Sequence, residues 1–260
     1  MQDAILLSRI EDAGLNASAA WQQRWMDGWL VRFAPVKAKR ARCVNAVADG
    51  RTGVAQKLEL CEAIYAEVGL PLVVRITPFS QPADLDEQLA GSGMARIDDT
   101  RVMVLESLEF VSNAAPAAAL PVGYRVEAIG PAAFAQLVGE LRESPQAQRD
   151  AQAERLTQSP VPFQAFQVVA AEGTAVACGQ FAIEAELVGL YDVFTTPAER
   201  GRGLARALCI RMLVAACERG ARVAYLQVES DNHPARKIYH GLGFSDAYAY
   251  HYRTFEPARA

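Results

Sequence analysis

The feature that most constrains the fold of this chain is a pattern that occurs twice, 150 positions apart. Subtracting 150 from Gly203 and Gly243 gives Gly53 and Gly93, so two glycines keep one register. In each half, the residues after the first glycine have the pattern of a long helix, then of a strand and then of a short helix. The residues after the second glycine have the pattern of a strand. This agreement predicts a duplicated unit of mixed helices and strands.

The stretch NAAPAAALP at residues 113–121 separates the two halves. Alanine and proline replace any periodic pattern there, which is typical of a linker. A chain of 260 residues also suits two hydrophobic cores better than one. We therefore predict one domain over residues 1–112, a linker at 113–122 and a second domain over 123–260.

Composition excludes several classes of protein. The chain is 51% apolar and 22% charged, which is typical of a globular protein. A net charge of −4 argues against nucleic-acid binding and favours cationic substrates. The N-terminus lacks the basic region of a signal peptide, and no window approaches the about 20 apolar residues of a membrane span, so we expect a cytoplasmic protein. Five cysteines without a CxxC pair indicate free buried thiols rather than disulfides or zinc.

Residues 195–205, TTPAERGRGLA, lie between an apolar strand and a helix. A glycine-rich turn that opens a helix brings several backbone N–H groups together at the positive end of the helix dipole. Gly201 and Gly203 would let an anion approach the backbone, and Arg200 and Arg202 carry charges suited to phosphate oxygens. The turn alone fits a phosphate site and a solvated basic turn equally well.

Two nucleotide-binding motifs fit poorly. A P-loop needs Gly-Lys-Ser/Thr, which is absent. A dinucleotide fingerprint needs a third glycine where Arg206 stands, although Glu229 could imitate the ribose-binding acid. A dehydrogenase is therefore the disfavoured alternative.

A second cluster follows the next strand. Pro234 suits the first turn of a helix, and Asn232 can cap it. Tyr239 falls on the apolar face of the same helix, seven residues after Asn232. Each residue alone fits a structural role, as a helix cap and as a core aromatic.

In order, Arg200-x-x-Gly203-x-Ala205 and then Asn232-x-x-Ala235-x-x-x-Tyr239-x-x-x-Gly243-Phe244 resemble the GCN5-related N-acetyltransferase family over roughly residues 123–255. The resemblance implies an α+β protein of two tandem domains, each a mixed, largely antiparallel twisted sheet flanked by helices. It also implies that acetyl-CoA is the co-substrate and that no metal is needed. Its pyrophosphate would meet Arg200 and the backbone of Gly201, Arg202, Gly203, Leu204 and Ala205.

The resemblance further implies that Phe194 and Thr195 pair with the pantetheine arm and that Asn232 contacts the cofactor. Tyr239 would protonate the leaving thiolate. An attacking amine must first be neutral, and its ammonium has a pKa of about 10.4, so a proton acceptor is required. Glu184 and Asp192 flank the strand that leads to the turn and are the candidate bases, although solvated carboxylates fit both. The three histidines lack metal-ligand spacing.

The first half resembles the degenerate copy of double-domain members of the family, which implies that it binds no acetyl-CoA. Its expected role is to close one wall of the acceptor cleft, to which Trp21, Trp25 and Trp29 could contribute if they do not fill a core or an interface. The leading hypothesis is an N-acetyltransferase acting on a primary amine of a small molecule, or second of a peptide or protein, and working as a monomer. The alternative is a non-catalytic acyl-CoA-binding sensor. In the first half, the residues expected to do chemistry are replaced. Gly50 stands at the position of Arg200, Pro82 stands at the position of Asn232, and Leu89 stands at the position of Tyr239.

Overall fold

The computed structural model describes residues 3–34, 38–109 and 119–255. In chain order these residues form α1 (Ala4–Ala17), β1 (Gln23–Met26), β2 (Trp29–Arg32), β3 (Val44–Ala46), α2 (Val54–Glu67), β4 (Val73–Ile76), α3 (Leu85–Gly91), β5 (Ala95–Leu105), β6 (Tyr124–Ile129), α4 (Pro131–Leu141), α5 (Gln146–Thr157), β7 (Phe163–Ala170), β8 (Ala175–Glu184), β9 (Leu187–Thr195), α6 (Leu204–Glu218), β10 (Val223–Glu229), α7 (His233–His240) and β11 (Ser245–Thr254). Short 3-10 turns occupy Lys39–Ala41 and Pro197–Glu199.

These elements divide into two compact units. The C-terminal unit comprises residues 3–17, 102–109 and 119–247, and the N-terminal unit comprises residues 18–34, 38–101 and 248–255. The predicted bounds, 1–112 and 123–260, differ from this division because α1 belongs with the second half and most of β11 with the first. Residues 110–118, which include most of the predicted linker, lie outside the described residues.

The C-terminal unit is built on a mixed sheet in which β10, β9, β8, β7 and β6 are neighbours in that order. β6 to β9 pair antiparallel, and β9 and β10 pair parallel. α6 covers one face, where a Cβ on Gly179 would lie 3.0 Å from Met212 Cε. Buried residues of α4 and α5 pack with Ala165 and Cys178 of the sheet in a separate cluster.

The N-terminal unit repeats the same topology in smaller form. β1, β2 and β3 pair antiparallel, α2 follows, and β4 then pairs parallel with β3. Its core includes Trp29, Leu58, Tyr65 and Leu89, all buried. The same order of strands and helices in both units confirms the predicted α+β class and tandem arrangement.

Local patterns give most elements to within a few residues, with informative exceptions. β1 was not predicted, because Gln23-Arg24-Trp25-Met26 has no apolar alternation and is largely exposed. The last strand was expected to complete the second half. Instead β11 pairs antiparallel with β4, with Arg253 opposite Val74. Periodicity predicts that a strand exists but does not identify its partner.

The tryptophans and cysteines have distinct environments. Trp29 is fully buried in the core of the N-terminal unit, whereas Trp21 and Trp25 are 41% and 65% exposed. All five cysteines are free, and Cys43, Cys61, Cys178 and Cys209 are buried. Burial raises the pKa of the Cys178 thiol to about 12, so this group is unreactive near neutral pH. No helix among the described residues is both long and apolar enough to cross a bilayer.

Candidate functional site

The turn between β9 and α6 has the backbone of an anion site. Gly201 and Gly203 have φ of +79° and +80°, and α6 begins at the next residue, Leu204, without a side-chain cap. A Cβ on either glycine would meet nothing within 4 Å, so the left-handed backbone, and not crowding, requires glycine at both positions.

The backbone N–H groups at residues 201–205 make no hydrogen bond with any residue that the structure describes. The first N–H groups of a helix lack partners within the helix, and the dipole adds partial positive charge at the same place. Five such groups around one turn are the donors that a phosphate group requires. Leu204 and Ala205 enter the candidate site through their backbone alone.

The two arginines of the turn are engaged differently. Arg200 Nε donates to the carbonyl of Thr195 at 3.3 Å, across the base of the turn. Arg202 donates to the Tyr124 hydroxyl at 3.0 Å and lies 3.4 Å from the Glu199 carboxylate. Tyr124 in turn donates to Glu199 at 2.5 Å, and this bond raises the pKa of Tyr124. Sequence reasoning missed Tyr124, because it is 78 residues away with no local signal.

The strands that precede the turn diverge. β9 and β10 pair only from Leu187 opposite Val223 to Leu190 opposite Leu226. Beyond these pairs the two strands no longer pair with each other, over residues 191–195 of β9 and 227–229 of β10. One edge of β9 is therefore open beside the turn, with backbone groups that an extended ligand could pair with.

A β-bulge deforms β9 along the open stretch. Cys178 pairs with Phe194 and Gln180 with Tyr191, so β9 carries one extra residue there. Asp192, within this bulge, has φ of +52°. Its carboxylate accepts from Gln180 Nε2 at 2.9 Å and from Arg142 Nη1 at 3.2 Å. The bulge therefore lies on the open stretch of β9 and contains a half-buried carboxylate that two hydrogen bonds hold in place.

The two candidate bases are not equivalent. Glu184 pairs with Leu187 at the opposite end of β9 from Thr195, about 26 Å away for eight residues of strand. Its carboxylate accepts from Asn16 Nδ2 of α1 at 3.0 Å. The structure brings Asp192 to the open stretch of β9 together with Phe194 and Thr195, and it does not bring Glu184 there.

Two buried polar atoms near the open edge lack hydrogen-bond partners within the described ranges. They are Oε1 of Gln180, a fully buried side chain, and Oγ1 of Thr195. Buried polar atoms are nearly always satisfied, by protein groups, water or ligand. Thr195 lies on the stretch of β9 that β10 does not pair with, and Gln180 lies on β8, opposite Tyr191 of that stretch.

Asn232 and Tyr239 mark the two ends of α7. Asn232 is exposed, and its Oδ1 accepts from the Ala235 N–H at 3.2 Å, so it caps the helix as one sequence interpretation predicted. Tyr239 packs edge-on against Phe244, with ring centroids 6.1 Å apart. Its hydroxyl makes no hydrogen bond with a described residue. Burial, and next the nearby Cys209, raise the pKa of Tyr239, so the phenol stays protonated at neutral pH.

No group of three or more His, Cys, Asp or Glu side chains that could hold a metal ion occurs among residues 3–34, 38–109 and 119–255. The candidate site therefore consists of a turn rich in N–H donors, an open strand edge, one fixed carboxylate and one protonated phenol.

Comparison with known proteins agrees with this geometry. A family model described as "Probable histone acetyltransferase Rv0428c C-terminal" matches residues 7–253. The protein named "Uncharacterized N-acetyltransferase YobR" of Bacillus subtilis (strain 168) is 28% identical over 250 residues, which cover 95% of this chain and 98% of that protein.

Two solved structures show the same fold. A GCN5-related N-acetyltransferase from Kribbella flavida superposes with a TM-score of 0.66 at 16% identity, covering 100% of this chain and 97% of that one. A tandem GNAT protein from the clavulanic acid biosynthesis pathway superposes with a TM-score of 0.60 at 19% identity, covering 80% of this chain and 72% of that one. The chain therefore belongs to the family of the matching acetyltransferase model and has the fold of tandem GCN5-related N-acetyltransferases.

Proposed function

We propose that this acetyltransferase moves the acetyl group of acetyl-CoA to a primary amine of a small molecule, by direct attack of the amine on the thioester. Family membership supports the transfer of an acetyl group. The observation that carries the choice of donor is the divergence of β9 and β10 next to a turn whose N–H groups have no partners among the described residues. This pair of features suits a ligand with an amide-containing arm and a pyrophosphate.

In this proposal the pyrophosphate binds the N–H groups of residues 201–205, and Arg200 adds positive charge. Arg202 would exchange its contact with Glu199 for a phosphate, or stay bound and position the turn. The pantetheine arm pairs with the backbone of Phe194 and Thr195 as an added strand. The otherwise unpaired Thr195 hydroxyl lies at the end of this edge and supplies one further polar contact.

Tyr239 acts as the general acid. In the reaction a C–N bond forms, the C–S bond breaks, and the departing thiolate takes the phenolic proton. The raised pKa of Tyr239 keeps the phenol protonated at neutral pH, and its hydroxyl makes no hydrogen bond with a described residue. A positioned proton donor contributes about 10²- to 10⁴-fold to a rate. Asn232 supports this group indirectly, because it caps the helix that carries Tyr239.

Asp192 is the better of the two candidate bases. The amine arrives as a cation and must lose a proton before it attacks. Asp192 is fixed by Gln180 and Arg142 beside the open edge of β9, whereas Glu184 is bound to Asn16 at the far end of the strand. Asp192 attracts the ammonium group and takes its proton, directly or through water.

The discriminating experiment measures thiol release from acetyl-CoA with diamines, polyamines, amino sugars and a lysine-containing histone peptide. The peptide is included because the matching family model names a histone acetyltransferase. We expect release with at least one small amine. Release with the peptide alone would move the acceptor class to proteins. Tight binding of acetyl-CoA in calorimetry, with no release on any amine, would favour the sensor and overturn the enzyme.

The base is tested by two matched variants. Asp192→Asn should lower kcat, while Glu184→Gln should leave kcat unchanged, because only Asp192 lies beside the open edge. If Glu184→Gln gives the larger loss, the assignment of Asp192 fails although the acetyltransferase proposal stands.

A further inference from the structure

The hairpin between β1 and β2 carries an acid at its tip. Asp27 and Gly28 form a two-residue turn in which both φ angles are positive, +45° and +86°. The Asp27 carboxylate reaches the turn that precedes α2, which is the first-half counterpart of the turn at 200–203. There it accepts from the backbone N–H of Arg51 at 2.8 and 3.0 Å and of Thr52 at 2.6 Å.

A buried cation completes this anion site. Lys57, in the first turn of α2, is only 2% exposed. Its Nζ donates to the Asp27 carbonyl at 2.6 Å and lies 3.5 Å from the carboxylate. The same ammonium lies 5.1 Å from the centroid of the Trp29 ring. A buried charge is tolerated only when it is paired, so Lys57 requires an anion at this place. The 150-residue offset replaces Lys57 by Ala207 in the second half.

Gly50 gives an independent sign that the site is full. A Cβ on Gly50 would lie 2.2 Å from the Asp27 carbonyl oxygen, 2.3 Å from its carboxylate and 2.3 Å from Lys57 Nζ. No side chain fits there without displacing both groups. Gly50 is the counterpart of Arg200, so the arginine of the second half is excluded from the first half by the group already bound.

We propose that the N-terminal unit retains an anion-binding turn at residues 50–53, with Lys57, and that the Asp27 carboxylate is its permanent internal ligand. The carboxylate takes the place that a phosphate group of the acyl donor takes in the second half, and so prevents the first half from binding one. The comparison with a phosphate group rests on the proposed use of acetyl-CoA by the second half. The binding of the Asp27 carboxylate to the turn at residues 50–53 does not depend on it.

The second half lacks such an internal ligand. Its corresponding hairpin, between β7 and β8, carries Glu172 at the tip, and this exposed side chain makes no hydrogen bond or ion pair with a described residue. In the first half, the N–H groups of Arg51 and Thr52, and also Lys57, hold the pKa of Asp27 well below its ordinary range. A carboxylate so stabilised stays ionised and bound at any physiological pH.

The test is chemical rescue of Asp27→Ala in the full chain. Removing the carboxylate leaves two N–H donors and a buried ammonium without an anion. Sodium formate and inorganic pyrophosphate, each compared with sodium chloride at equal ionic strength, should bind there. Amide resonances of Arg51 and Thr52 report the site directly, and the melting temperature reports its effect on stability. Asp49→Ala, which removes an exposed acid from the same loop, is the matched control.

We expect formate or pyrophosphate to shift the Arg51 and Thr52 amides of Asp27→Ala in a saturable way and to raise its melting temperature. The same anions should leave these amides unchanged in the wild type and in Asp49→Ala. The proposal would be overturned if Asp27→Ala folds but neither anion shifts its Arg51 and Thr52 amide resonances. It would also be overturned if these anions bind at the same amides in the wild type. If Asp27→Ala does not fold, Asp27→Asn replaces it in the test. Its side-chain amide keeps one acceptor oxygen, so formate must displace that side chain from the Arg51 and Thr52 N–H groups in order to bind. None of these readouts depends on acetyl transfer, so failure of the proposed function would leave them interpretable.

Discussion

Two turns occupy the same place in two copies of one topology, before α2 and before α6, and their backbone N–H groups have different partners. At residues 51 and 52 the N–H groups bind the Asp27 carboxylate. At residues 201–205 they bind no described residue. The backbones differ as well: Gly53 has an ordinary extended φ of −62°, whereas Gly203 has a φ of +80°.

The two copies differ in what accepts from the N–H groups of the turn, and not in whether a helix begins after it. A helix N-terminus requires an acceptor in either copy. In the N-terminal unit an acid on a hairpin tip supplies it, and the position of Arg200 is held by Gly50. In the C-terminal unit no described residue supplies it, and the proposed phosphate would.

The comparison extends to α7 and α3, and the largest expected effect lies there. Tyr239→Phe removes the proposed general acid and should lower kcat by about 10²- to 10⁴-fold, while leaving the affinity for acetyl-CoA nearly unchanged. Its first-half counterpart, Leu89, is fully buried in an apolar core, so the conservative Leu89→Met should cost less than about 1.5 kcal/mol of stability and leave kcat unchanged. Steady-state kinetics and calorimetry measure both. A full-rate Tyr239→Phe enzyme would remove Tyr239 from the mechanism.

The matched glycines of the two turns give the next effect. Gly203→Ala forces a side chain into the left-handed region and should cost about 1–2 kcal/mol, with weaker binding of acetyl-CoA. Gly53→Ala places a Cβ in open space at an ordinary φ, so it should change stability by less than about 1 kcal/mol and leave acetyl-CoA binding unchanged. Thermal unfolding and calorimetry compare them. Equal losses of acetyl-CoA affinity would mean that the two turns serve the ligand alike.

The sequence was sufficient for the features that depend on nearby residues. The turn at 200–203, the start of α6 and the position of Tyr239 on α7 follow from spacing and periodicity within one segment. Asp27 could not be assigned in this way. Its Asp-Gly pair signals a hairpin, but its contact with Arg51 lies 24 residues away and depends on how that hairpin folds over α2. The contact of Tyr124 with Arg202, 78 residues away, and the pairing of β11 with β4 were missed for the same reason.

The smallest expected effect concerns pH, and it separates a filled turn from an empty one. The pKa of Asp27 is depressed, so the stability that this carboxylate contributes is fully present above its unfolded pKa of about 3.9 and is lost as pH falls toward the folded value. Lys57 is the charged side chain that faces it, with Nζ 3.5 Å from the carboxylate. The difference in melting temperature between wild type and Asp27→Asn should therefore be constant from about pH 5 to about pH 7, which is about a unit or more above the unfolded pKa. It should become smaller below about pH 4.

The matched variant in the second half is Glu172→Gln, which alters the acid on the corresponding hairpin tip. Because Glu172 makes no hydrogen bond or ion pair with a described residue, the melting temperature of Glu172→Gln should stay close to that of the wild type over the same pH range. A difference for Asp27→Asn that does not change with pH would mean that the carboxylate charge contributes nothing at the turn. The contrast between the two turns would then lie in shape alone, with the side chain of Asp27 acting as a neutral cap.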